Sequence, residues 1–93
     1  MPNEELIIHR TKQFLKAFQK LKKPLQLKAL ERIELFLVSS AHPLLKVHAL
    51  SGELQGISSL NVSGDYRIWF LESKAGNKRI ITFLNIGSHS QLY

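Results

Sequence analysis

Residues 57–86 read ISSLNVSGDYRIWFLESKAGNKRIITFLNI, and the kind of structure the chain adopts turns on them. Short apolar runs alternate with turn formers. ISSLNV (57–62) reads as a short strand, SGD (63–65) as a tight hairpin turn, and YRIWFLE (66–72) as a second strand. SKAGNK (73–78) is a longer turn, and RIITFLNI (79–86) a third strand. Three antiparallel strands follow from this order.

Successive side chains on a strand point to opposite faces. In the middle strand Tyr66, Ile68 and Phe70 share one face, while Asp65, Arg67 and Trp69 share the other. Simple alternation along the last strand puts Ile80, Leu84 and Ile86 on the aliphatic face, with Arg79, Ile81, Phe83 and Asn85 opposite. One face therefore suits a helical cover. The other collects Asn61, Asp65, Arg67, Trp69, Phe83 and Asn85, with His89 and Tyr93 just beyond its end, and is the candidate site.

Upstream, the period changes. HRTKQFLKAFQKLK (9–22) spaces Phe14, Leu15, Phe18 and Leu21 as one side of a helix and distributes lysines around the rest. Pro24 breaks this pattern and suits the first turn of a second helix. In PLQLKALERIELFLVSS (24–40) the predicted core stripe is Leu27, Leu30, Ile33 or Glu34, and Leu37, widened by Phe36. A very short connection makes the pair an antiparallel hairpin. HPLLKVHALSGELQG (42–56) has no clean period and reads as a loop, while EELIIH (4–9) is a further strand candidate at the sheet edge. The expected fold is α+β, a two-helix hairpin on a twisted antiparallel sheet of three to four strands. A chain of 93 residues accommodates one domain, spanning 1–93.

The composition narrows the function. There are 13 Lys and Arg against 7 Asp and Glu, a formal charge of +6. Such a surface attracts nucleic acid, acidic protein segments or anionic lipid. No apolar run reaches the roughly 18 residues of a membrane span. MPNEELIIHR (1–10) does not read as a signal peptide, so the cytoplasm is the expected compartment. Cysteine is absent, which removes disulfides and thiolate metal sites. His9, His42, His48 and His89 do not fall at metal-ligand spacing, and there is no phosphate-binding glycine loop or nucleophile elbow, so no metal or cofactor is expected.

The chemistry left open is that of Arg, His, Tyr and Lys. Arg67 can grip a phosphate through parallel hydrogen bonds, or pair with Asp65 or Glu72. His89 can move protons near neutral pH, or sit as a surface loop residue. Tyr93 can stack a base or anchor the chain end, and Trp69 and Phe83 can stack bases or pack. RNA cleavage needs little more, because the 2′-hydroxyl is an internal nucleophile.

Three segments carry a resemblance. HALSGELQG (48–56) is similar to an H-x-L-x-G-x-x-x-G loop, VSGDYRIWF (62–70) to a strand bearing an Asp–aromatic pair or Arg, and IGSHSQLY (86–93) to a G-[ST]-H-x-x-[LV]-[FY] ending. In this order and spacing they resemble the RelE/ParE superfamily of type II toxins, most closely its YafQ-like mRNA interferases, over nearly the whole chain. The resemblance implies a microbial-RNase-like fold and a metal-free, ribosome-dependent mRNA endonuclease that leaves a cyclic phosphate. The implied partners are a cognate antitoxin, the ribosome and mRNA. Operator DNA is expected only through the antitoxin complex, and no membrane is expected. The implied catalytic set is His48, Asp65, Arg67, His89 and Tyr93. Arg67 would hold the phosphate, His89 act as acid, His48 or Asp65 as base, and Tyr93 orient or stack a base. Lys46, Asn61, Trp69, Arg79 and Asn85 are the expected RNA contacts. Two departures stand out: a histidine of the YafQ-like pattern falls on Asn61, and a last-strand arginine falls on Asn85. The alternatives are a ParE-like gyrase inhibitor without nuclease activity, and a weakly active homologue that acts mainly through antitoxin binding.

Overall fold

A computed structural model describes residues 4–93. The chain runs β1 (Glu5–Arg10), α1 (Lys12–Lys20), α2 (Lys23–Val38), β2 (His48–Ala49), β3 (Ser58–Ser63), β4 (Tyr66–Ala75), β5 (Lys78–Ser88) and α3 (His89–Leu92). Single 3-10 turns at Pro43–Leu45 and Gly52–Leu54 shape the loop between α2 and β3. The strands form one sheet in the order β1-β5-β4-β3-β2. The fold is α+β as expected, with five strands where three to four were read. The sheet is mixed, because the edge strand β1 pairs parallel to β5. β2 was read as loop, and at two residues it is too short to leave a period. No helix among the described residues is long and apolar enough to cross a membrane.

The strand-to-helix switch near the start is set by Thr11. Its Oγ1 accepts from Phe14 N at 3.0 Å, capping α1, and donates to the Leu84 carbonyl at 2.8 Å. Its own N–H bonds the Phe83 carbonyl. The helical reading from residue 9 is therefore corrected: His9 and Arg10 close β1, and α1 begins after Thr11. Pro24 sits in the first turn of α2, where a missing N–H removes no helical bond. The second turn of the sheet is tighter than read. Ala75 pairs directly with Lys78 across Gly76-Asn77, and Gly76 takes the positive φ of 63° that such a two-residue hairpin demands.

The core lies between the helix hairpin and one face of the sheet. Phe36 packs on Phe70 with ring centroids 4.7 Å apart, and Phe14 packs on Phe83 at 5.6 Å. Two face assignments are corrected here. The β4–β5 register shifts between Trp69 and Phe70, which pair with Asn85 and Phe83, so Leu84 is an extra residue. A bulge of this kind inverts the alternation. Ile81, Phe83 and Ile86 all face the helices and are buried, whereas Ile80 is not in the core. Phe83 is thus a core residue rather than part of the candidate site. On α2 the buried residues are Ala29 and Phe36, with Ile33 packed against them, while Leu27 and Leu30 are 56% and 50% exposed. The C-terminal half of the predicted stripe (Ile33, Phe36, Leu37) faces the core, and the N-terminal half (Leu27, Leu30) does not.

Candidate active site

Strand pairing builds the site row by row. His48, Ser59, Trp69 and Asn85 are aligned across β2, β3, β4 and β5. The row of Asn61, Arg67 and Gly87 lies two positions away, on the same face of the pleat. The intervening row, Leu60, Ile68 and Ile86, points into the core. The polar face therefore brings residues from distant segments to one end of the sheet, where α3 closes it.

That end holds a pocket of about 460 Å³ lined by His48, Arg67, His89 and Tyr93. Its remaining wall is Ala49, Leu50, Ser51 and Leu54 of the loop. Arg67 Nη1 donates to Asn61 Oδ1 at 3.3 Å. A guanidinium has further N–H donors that a bound anion could accept from. The alternative pairing with Glu72 is overturned, since Glu72 Oε2 accepts from Arg79 Nε at 2.9 Å. No Asp or Glu lines the pocket among the described residues, and Arg67 is its fixed cation.

The short helix α3 sets the second half of the site. Ser88 Oγ accepts from Gln91 N, and Gln91 Oε1 accepts from Ser88 N at 2.8 Å, a reciprocal capping box. His89 follows at once, its N–H donating to the Asp65 carbonyl at 2.9 Å. The His89 ring stacks on Tyr93 at 4.4 Å and 25°. Trp69 meets Tyr93 edge-on at 5.1 Å and donates its indole N–H to the Tyr93 hydroxyl at 3.3 Å. Gly87 leaves room for the cap: a Cβ there would lie 2.9 Å from Gln91 Oε1, so that side-chain end would have to shift.

The ten sequence-predicted residues therefore divide. His48, Arg67, His89 and Tyr93 converge on the pocket. Asn61 braces Arg67, and Trp69 braces Tyr93 from below rather than lining the pocket. Asp65 and Lys46 take part through their carbonyls, toward His89 N–H and His48 Nδ1, and neither side chain lines the pocket. Two of the ten lie away from the pocket. Arg79 lies on the helix side of β5, paired with Glu72 and 5.5 Å from the Phe36 ring centroid. Along the strand it is roughly 25 Å from Gly87 at about 3.3 Å per residue. Asn85 turns to the strand edge, where its Oδ1 accepts from Ile86 N at 2.9 Å. Both departures follow from the bulge and the free edge of β5, which alternation alone does not reveal. Sequence reasoning missed the apolar wall of Leu50 and Leu54, although their four-residue spacing across Gly52 in HALSGELQG is visible. It also missed Gln91, the residue that locks α3.

A larger groove of about 930 Å³ runs between α1, the free edge of β5 and α3. Lys12, Lys16, Lys20 and Lys22 line it, together with Leu21 and Leu25. No histidine or arginine among the described residues lines it. Among the described residues no group of three or more histidine or carboxylate side chains is placed to hold a metal ion.

No family model and no curated protein sequence matches this chain. Solved structures do. A YoeB/ParE toxin from Agrobacterium tumefaciens is 16% identical, with 89% of this chain and 98% of that one covered and a TM-score of 0.74. YafQ from E. coli is 20% identical over 96% of this chain and 99% of its own, with a TM-score of 0.71. A chain of the E. coli DinJ-YafQ complex is 22% identical over 96% and 99%, with a TM-score of 0.67. At these identities the likeness is one of fold: the chain has the fold of RelE/ParE-superfamily toxins, YafQ among them.

Proposed function

We propose that this chain is the toxin of a type II toxin–antitoxin pair, acting as a metal-free endonuclease on mRNA at the ribosome. The observation that carries the reading is the convergence of His48, Arg67, His89 and Tyr93 on one pocket that no Asp or Glu lines. Two groups that can exchange protons flank a phosphate-binding fork, which is the minimum for cleavage through the 2′-hydroxyl.

In the proposed reaction Arg67 binds the non-bridging oxygens of the scissile phosphate. His48 takes the proton as the 2′-oxygen forms its bond to phosphorus. The bond to the 5′-oxygen breaks, and His89 gives that oxygen its proton. A 2′,3′-cyclic phosphate and a free 5′-hydroxyl result, with no external reactant. Tyr93 holds the His89 ring by stacking, so only its other face is available to a base.

The antitoxin is proposed to lie in the lysine-lined groove along α1. Free groups on the β5 edge already have partners within the chain: Thr11 on the Leu84 carbonyl, Asn85 on Ile86 N–H and Gln91 on Ser88 N–H. Strand addition would have to displace them, so an acidic amphipathic helix is the favoured occupant. That YafQ, a protein of this fold, is solved in complex with DinJ supports a protein partner.

Expression in a host without the antitoxin tests the reading. Wild type should arrest growth with rapid loss of translation, and His89→Ala should not. Arrest accompanied by DNA-damage signalling, with translation initially intact, would favour the gyrase-inhibitor alternative.

A further inference from the structure

Two histidines in the loop between α2 and β3 are held in opposite ways. His42 Nδ1 accepts from the Leu44 N–H at 3.1 Å, so that nitrogen carries no proton. His48 Nδ1 lies 2.9 Å from the Lys46 carbonyl oxygen. A carbonyl oxygen only accepts, so His48 Nδ1 is the donor. In the neutral ring the lone pair is then on Nε2.

The carbonyl is aimed by an uncommon backbone. Lys46 has φ 46° and ψ 43°, and among the described residues it is the one non-glycine with positive φ. It closes the 3-10 turn Pro43–Leu45, its N–H bonding the Pro43 carbonyl at 3.3 Å. From there the chain reaches His48 within two residues and enters β2 at the pocket. The Lys46 side chain does not line the pocket, so an ammonium–phosphate contact does not account for the strained conformation.

We propose that Lys46 is a positioning residue: its left-handed backbone turns its carbonyl onto His48 and holds that imidazole as a proton acceptor through Nε2. The catalytic consequence, that His48 rather than Asp65 is the base, rests on the nuclease reading. The tautomer itself does not.

Long-range proton–nitrogen correlation spectra of the full chain, labelled with ¹⁵N, read each ring directly at a pH where the rings are neutral. The expected spectrum shows His48 protonated on Nδ1 and His42 protonated on Nε2, two opposite patterns in one sample. Lys46→Gly and Lys46→Asn tolerate positive φ and should keep the His48 pattern. Lys46→Val, β-branched, should lose it while His42 stays unchanged. Its cleavage should fall roughly tenfold or more, part of the ~10²–10⁴-fold that a positioned acid or base contributes. If Lys46→Val does not fold, the wild-type, Lys46→Gly and Lys46→Asn spectra decide. A wild-type His48 protonated on Nε2, or a Lys46→Val spectrum identical to wild type, overturns the proposal. The expected pattern in a protein that cuts no RNA upholds the positioning role and refutes the nuclease reading alone.

Discussion

Arg67 and Asn61 face each other across β3 and β4, and the hydrogen bond between them gives the departure at Asn61 a function. An amide cannot transfer a proton as an imidazole can, but its oxygen orients the guanidinium. Arg67→Lys keeps the charge and loses the fork, so cleavage should fall at least about tenfold with the melting temperature nearly unchanged. Asn61→Ala should act more weakly, about 1 kcal/mol or roughly fivefold in kcat/KM, because it removes one hydrogen bond to a charged group that stays partly exposed. Steady-state cleavage of a short RNA checks both. Gly87→Ala is a sharper probe. Its Cβ would lie 2.9 Å from Gln91 Oε1, so the bond from Ser88 N–H to that oxygen should weaken and loosen α3. Amide exchange across residues 88–93 should accelerate, with a loss of about 1 kcal/mol for the cap. Unchanged exchange would show that α3 does not depend on Gln91.

At the scale of elements, the chain was legible where one periodicity dominated and obscure where two competed. The hairpin of β3 and β4 and the amphipathic α1 follow from pattern and turn chemistry, and both are present. Helix α2 carries Leu25, Leu27, Leu30, Ile33, Leu35, Phe36, Leu37 and Val38, so several helical phases are equally apolar and sequence cannot select among them. Its actual phase is set by Phe36 against Phe70. In β5 the alternation holds on each side of Leu84 but inverts there, and a bulge is a property of the pair, not of either strand alone. That one residue misassigned Phe83 and Arg79 together. Urea denaturation separates the two descriptions. Phe83→Ala should destabilise by about 3–5 kcal/mol as a buried aromatic. Leu30→Ala, half exposed on α2, should change stability by less than about 1 kcal/mol. The reverse order would restore the original face assignment. The site itself was legible through local motifs: the loop histidine, the strand arginine and the terminal His and Tyr were all in recognisable settings. The bracing partners were not, because Asp65 and Lys46 act through carbonyls whose direction only the folded backbone defines.

Across the whole molecule the charge is uneven. The pocket holds a single fixed cation in Arg67, while lysines line the separate groove along α1. In the proposed function catalysis and contact fall on different surfaces, so mutation should separate them. Lys12→Glu/Lys16→Glu/Lys20→Glu should abolish binding of an acidic antitoxin helix and weaken ribosome association. Cleavage of a short free RNA, where it occurs, should be affected far less, apart from a reduced salt dependence. Titration calorimetry at low and high salt would read the first effect, and equal affinity for wild type and variant would remove the groove as a docking surface. The central claim remains the pocket. Primer extension on a defined mRNA in a reconstituted translation reaction, with wild type and His89→Ala side by side, tests it most directly. The account predicts new cuts at codons in the ribosomal A site with wild type and none with the variant. Intact mRNA with both proteins, or identical cuts with both, would contradict it.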